Sequence, residues 1–137
     1  MKRCLLVLVA LLVVQSSAFG QKQDMTKRAA KEVVKELSCC AVYYSIMAAY
    51  FDKIGDKDVK EKFLDMTVKV ASQVDELDVF GCSDEAAKRC VSEILPILDK
   101  ADGLKELLYD LGPLCKAVSE HPDKRMSWLM LKYSTEQ

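Results

Sequence analysis

The chain has 137 residues, half of them hydrophobic, and its 20 basic and 21 acidic residues almost cancel. A slightly acidic balance argues against nucleic acid or an anionic lipid surface as the main partner, since both demand a basic face. The absence of asparagine excludes N-linked glycosylation.

Residues 1–20 read as a secretory signal peptide. Lys2 and Arg3 give the positive start, Leu5 to Val14 are uninterrupted apolar residues, and Gln15, Ser16 and Ser17 make a polar exit. Cleavage after Ala18 or after Gly20 satisfies the small-residue rule. The apolar run is shorter than the roughly 20 residues a bilayer span needs. The expected product is therefore exported, with residues 21–137 forming a single helical domain. Without Lys2 and Arg3 it keeps 18 basic residues against 21 acidic ones.

Helical periodicity runs through the rest of the chain. Asp24 is placed to cap a first helix, whose stripe is Ala30, Val33, Val34, Leu37, Cys40, Ala41, Tyr44, Met47, Ala48 and Phe51, ended by Gly55. Asp58 with Glu61 makes an acidic capping-box variant for a second helix, with Val59, Phe63, Met66, Val70, Val74 and Leu77 on its apolar side. Gly81 breaks it. Ser83 is placed to cap a third helix carrying Ala87, Cys90, Val91, Ile94, Leu95, Leu98 and Ala101, which Pro96 should kink or stop. A fourth helix follows the Asp102-Gly103 turn with Leu104, Leu107, Leu108, Leu111, Cys115 and Val118, interrupted at Gly112-Pro113. His121-Pro122 closes it, because a residue before proline avoids helical angles. A fifth helix runs from about Asp123 to Tyr133. No segment alternates at period two. The expected fold is all-α: a compact, disulfide-stapled bundle of about five antiparallel helices, some kinked by proline.

Five cysteines lie beyond the leader, and export puts them where cysteines pair. In an antiparallel hairpin, residues equidistant from the turn lie level. Cys90 is 12 residues before Asp102 and Cys115 is 12 after Gly103. Reflection through the other turns brings Cys39 and Cys40 to the same layer. The expected bridges join Cys39 and Cys40 to Cys90 and Cys115 in either order, each contributing roughly 3–4 kcal/mol by loop-closure entropy. The rival is a Cys90–Cys115 staple with one of the adjacent pair joined to Cys82. Cys82, in the Gly81-Cys82-Ser83 turn, is off every stripe. It reads as an exposed, unpaired cysteine, either a free thiol or an intermolecular link making a homodimer. One histidine and no Cys-x-x-Cys knuckle argue against metal, and no cofactor is implied.

No catalytic signature is present, neither a nucleophile elbow, a Walker loop nor a His-Glu-x-x-His. The chain therefore reads as non-enzymatic. His121-Pro122-Asp123-Lys124, with Tyr109-Asp110-Leu111-Gly112 upstream, resembles the signature of J-domain co-chaperones. That family places a whole helix between the two motifs, whereas eight residues separate them here. The tetrapeptide reads as a helix stop followed by a helix cap.

Two segments are more apolar than one buried face requires. Cys39 to Phe51 is apolar nearly all round, as in a central helix; alternatively Tyr43, Met47 and Tyr50 line a cavity. In the last helix Met126, Leu129, Met130 and Tyr133 make one ridge, and Trp128 and Leu131 make another on the opposite side. Small, exported, acidic and stapled, the architecture is similar to that of insect odorant-binding proteins, which enclose a ligand cavity. Their second and third cysteines are three residues apart, whereas Cys39 and Cys40 are adjacent. The first functional expectation is a carrier of a small hydrophobic molecule, with Tyr43, Met47, Tyr50, Met126, Trp128, Met130 and Leu131 as the candidate ligand-binding residues. The alternative is a secreted effector, signal or toxin-like protein acting by protein contact, through the last helix or a Cys82-linked dimer. A membrane-active protein is disfavoured by the acidic balance.

Overall fold

The computed structural model describes the backbone of residues 2–136 and the side chains of residues 20–136. Among the described residues five helices follow one another: α1 (Lys2–Lys53), α2 (Lys57–Leu77), α3 (Ser83–Leu98), α4 (Gly103–Glu120) and α5 (Pro122–Thr135). No strand occurs among the described residues. The side chains of the leader, and with them its apolar run, lie outside the described residues.

α1 is the axis of the bundle and packs against each of the other four helices. Its all-round apolar middle follows from that position. Val33, Val34, Leu37, Cys40, Tyr43, Tyr44, Met47 and Ala48 are all buried, more than one face of a surface helix would hide. α1 does not begin at Asp24, as its sequence suggests; the helix runs through that residue. Nothing between Gly20 and Thr26 forbids helical angles, and one interior glycine costs only about 1 kcal/mol.

The helix ends show what the local sequence could not fix. Gly55 (φ 83°) and Gly81 (φ 63°) take the left-handed conformation that glycine tolerates, and they turn the chain out of α1 and out of α2. The cap of α2 is Asp56, not Asp58: its carboxylate accepts the Val59 amide at 3.1 Å. Asp58 falls inside the first turn, where its charge still suits the helix dipole. Ser83 does not cap α3 but is its first residue. The orphan amides of Cys82 and Ser83 are instead accepted by the Asp78 carboxylate, at 2.8 and 2.9 Å. This capping acid lies four residues upstream, outside any local capping pattern. His121 terminates α4 and precedes Pro122, the first residue of α5.

The expected stop at Pro96 and break at Gly112-Pro113 do not occur. α3 continues to Leu98 and α4 is unbroken from Gly103 to Glu120. Each proline removes one donor, but packing holds the residues beyond it. Ile97 and Leu98 lie against the core after the first, and Cys115 and Val118 are buried after the second.

The pairing of helices departs from a simple meander. α2 lies along α1, with Phe63 stacked on Phe51 (centroids 5.5 Å apart) and tilted against Tyr44 (6.1 Å). α2 and α3, though consecutive, make little contact; α3 packs on α1 and α4. α5 runs antiparallel to α1. Near its start the Arg125 guanidinium forks onto the Glu36 carboxylate, Nε to Oε2 at 2.8 Å, and near its end Tyr133 lies under Arg28 at 4.0 Å. Leu129 and Tyr133 complete that contact from the buried ridge of α5.

Two disulfides fasten α1 to its neighbours. Cys39 is bonded to Cys90 of α3 and Cys40 to Cys115 of α4, each with α-carbons 5.3 Å apart. The four sulfurs form the single layer that the turn arithmetic expects, and the structure selects one of the two orders. The adjacency of Cys39 and Cys40 explains the geometry. Neighbouring residues on a helix point about 100° apart, so one addresses α3 and the next addresses α4.

Candidate functional site

The candidate ligand residues do not converge. Tyr43 and Met47 are buried in the core. Tyr50 is 39% exposed and meets the edge of Phe51 at 5.3 Å. Trp128 and Leu131 are 49% and 65% exposed on the outer face of α5. Met126 and Met130 are half-buried under the same helix. A cavity between the tyrosines of α1 and the Met/Trp helix is therefore not formed. The Arg125–Glu36 fork sets the register of α5. Tyr43 lies seven residues past Glu36 along α1, a rise of about 10 Å, and Tyr50 lies fourteen past it, about 21 Å.

Among the described residues, four concavities stand out. The one between α1 and α3, about 450 Å³, is lined by charge: Lys31, Lys35 and Arg89 against Glu32, Glu36, Glu85 and Glu93. Several of these pair internally, Arg89 with Glu93 at 2.9 Å and Lys35 with Glu32 at 3.7 Å. A broader hollow of about 700 Å³ is bounded only by the start of the described part of α1 and the α2–α3 loop. There Phe80 is held between Lys27 and Lys31, at 5.4 and 5.5 Å. Met126 lines a small apolar cavity of about 220 Å³ with Ala30, Val33, Leu77 and Pro122. That volume is below the roughly 300 Å³ at which small-molecule sites begin.

The fourth is a cleft of about 320 Å³ between α2 and α4, floored by Tyr43 and Tyr44 of α1. Phe63, Met66 and Val70 form the α2 wall. Gly112 and Ser119 belong to the α4 wall. The cleft exists because α2 and α4 barely touch. Their link is one hydrogen bond, from Gln73 Nε2 to the Ser119 carbonyl at 2.9 Å. Gln73 Oε1 is buried without a hydrogen-bond partner. Gly112 brings the backbone of α4 close to the floor, since a β-carbon there would stand 3.3 Å from the Tyr43 hydroxyl oxygen. Burial pushes both phenols up from their ordinary pKa. At Tyr44 the Ser119 hydroxyl opposes this and Glu120 adds to it; at Tyr43 its neighbour Tyr44 adds. Both tyrosines therefore keep their protons at neutral pH and offer hydroxyl donors beside an apolar floor. The sequence pointed to Tyr43 alone of these residues. Phe63, Met66 and Val70 looked like an ordinary apolar stripe, and only the splay of α2 from α4 makes them a wall.

Cys82 is the one unpaired cysteine among the described residues, and it is half-buried, not exposed. As the residue before α3, its amide is held by Asp78 and it contributes to the lining of the charged hollow. Burial pushes its thiol up, and hydrogen bonding and charge from Asp78 push it further. A protonated thiol is a slow partner in disulfide exchange.

Among the described residues, no helix is long and apolar enough to cross a membrane. No group of three His, Cys, Asp or Glu side chains is gathered to hold a metal ion. No protein-family model, curated protein or solved structure matches the chain.

Proposed function

We propose that this is a secreted, non-enzymatic carrier of a small hydrophobic molecule, and that the ligand occupies the cleft over Tyr43 and Tyr44. One observation carries the reading: a 320 Å³ apolar cleft between two helices, floored by two buried tyrosines. Apolar walls supply affinity by area, and a few hydroxyls orient the guest. The bridges Cys39–Cys90 and Cys40–Cys115 support export, because disulfides persist in oxidising compartments. The half-buried, protonated Cys82 supports a monomer with a free thiol over a covalent dimer.

A second reading has its own observation. Trp128 and Leu131 form an exposed apolar ridge, with Arg125 and Lys132 over the indole at 4.5 and 5.7 Å. Exposed Trp and Arg suit a protein contact, so an effector would use this face.

Native mass spectrometry of protein exported by its producing cells tests the first reading. The expected result is a monomer with a small molecule retained at about one per chain. A population wholly free of small molecules, with a protein partner bound in their place, would favour the second.

A further inference from the structure

Resting on the carrier reading of the cleft, we infer its ligand class: a single-chain amphiphile with an anionic head group, its body on Tyr43 and Tyr44 and its charge between Lys69 and Lys116. The two lysines belong to opposite walls, Lys69 to α2 and Lys116 to α4, and both are exposed where they line the cleft. Neither enters an ion pair among the described residues. Two like charges on opposite walls of one cleft repel when nothing stands between them. An anion between them turns that repulsion into two charge-assisted contacts. The cleft's one acidic residue is Glu120, which leaves it net positive in a chain that is net negative.

The other concavities lack this combination. The charged hollow at α3 sets four carboxylates against three cations, the small cavity at Met126 has Asp123 as its one charged residue, and the broad hollow at Phe80 carries Lys22 and Lys27 on the same helix, α1, and not on opposite walls. The position of the head group within the cleft also follows. Lys69 and Lys116 are exposed and Tyr43 and Tyr44 are buried, so the charged head sits at the rim and the body on the floor. A volume of 320 Å³ stands at the lower end of ligand sites, which suits one short chain and excludes a two-chain lipid.

Calorimetric titration of the intact disulfide-bonded protein with decanoate and with decanol separates the inference from the reading beneath it. Decanoate is expected to bind about tenfold more tightly than decanol, the size of a charge-assisted contact at a partly wet site. The double variant Lys69→Gln/Lys116→Gln is expected to bring the ratio of decanoate to decanol affinity to about one, and added salt to erode the wild-type ratio. Glu120→Gln is expected to raise the ratio of decanoate to decanol affinity about two- to fivefold, a gain that misfolding does not produce. Equal affinity for the two ligands, or a preference that survives the double lysine variant, overturns the anionic head group and leaves the carrier standing. Failure of both ligands to bind the wild-type protein overturns the carrier reading and the inference with it.

Discussion

The two sides of α4 contrast. On one side α4 is locked to α1 by Cys40–Cys115, next to the Cys39–Cys90 bridge to α3, and the interior there is filled. On the other side α4 meets α2 through little more than the Gln73–Ser119 hydrogen bond, and a cleft stands open over buried tyrosines. A covalent layer lets the second interface remain open, because the bundle does not depend on α2–α4 packing to hold α4 in place. Rigidity is concentrated where the sulfurs are, and space is left where they are not.

Removing the staple should break the contrast most severely. Cys40→Ser/Cys115→Ser opens a loop closed over a sequence separation of 75 residues. It should cost about 4 kcal/mol in urea unfolding by loop-closure entropy. α4 should then be free to collapse toward α2, and ligand binding in the cleft should weaken even below the unfolding midpoint. An intermediate effect is expected at the non-covalent clasp of α5. Arg125→Ala leaves the largely buried Glu36 carboxylate unpaired, which should cost about 1–3 kcal/mol. The cleft, more than a turn of α1 away, should bind as before.

The smallest effect concerns the α2–α3 corner. The Ser83 hydroxyl, followed by the Cys82 amide, holds the Asp78 carboxyl down at about 2, against an ordinary value of 3.8. A depressed pKa means that the unfolded chain takes up the proton first. The cap's contribution is therefore complete above about pH 5 and is lost as pH falls from roughly 4 towards 2. Melting temperature should fall more steeply with acid in the wild type than in Asp78→Asn. Identical slopes would remove Asp78 from the cap.

Much of this fold was legible in the sequence. The apolar stripes named both buried residues of α2 and most of those of α1, missing Ala29, Ser38 and Tyr43, because a 3.6-residue period and burial are largely the same information seen twice. The sulfur layer followed from counting residues to a turn. The caps were less legible. Asp78 reaches Cys82 and Ser83 across a turn, and no local pattern encodes such a reach. Val91 and Leu95 lay on an expected stripe yet are 39% and 54% exposed, because α3 has α1 and α4 as neighbours but not α2. The site was least legible. Tyr43 is in it, but Met126, Trp128, Met130 and Leu131 are not, because α5 is anchored on α1 at Glu36 and Arg28, contacts 89 and 105 residues apart in sequence that no local pattern encodes.

The central claim is that the guest sits between α2 and α4 and not on α5. Amide chemical-shift mapping during a titration with decanol tests it directly. The account expects perturbations centred on Tyr43, Tyr44, Phe63, Val70 and Ser119, with the Trp128 indole unmoved. Perturbations confined to Trp128, Leu131 and their neighbours on α5 would contradict it.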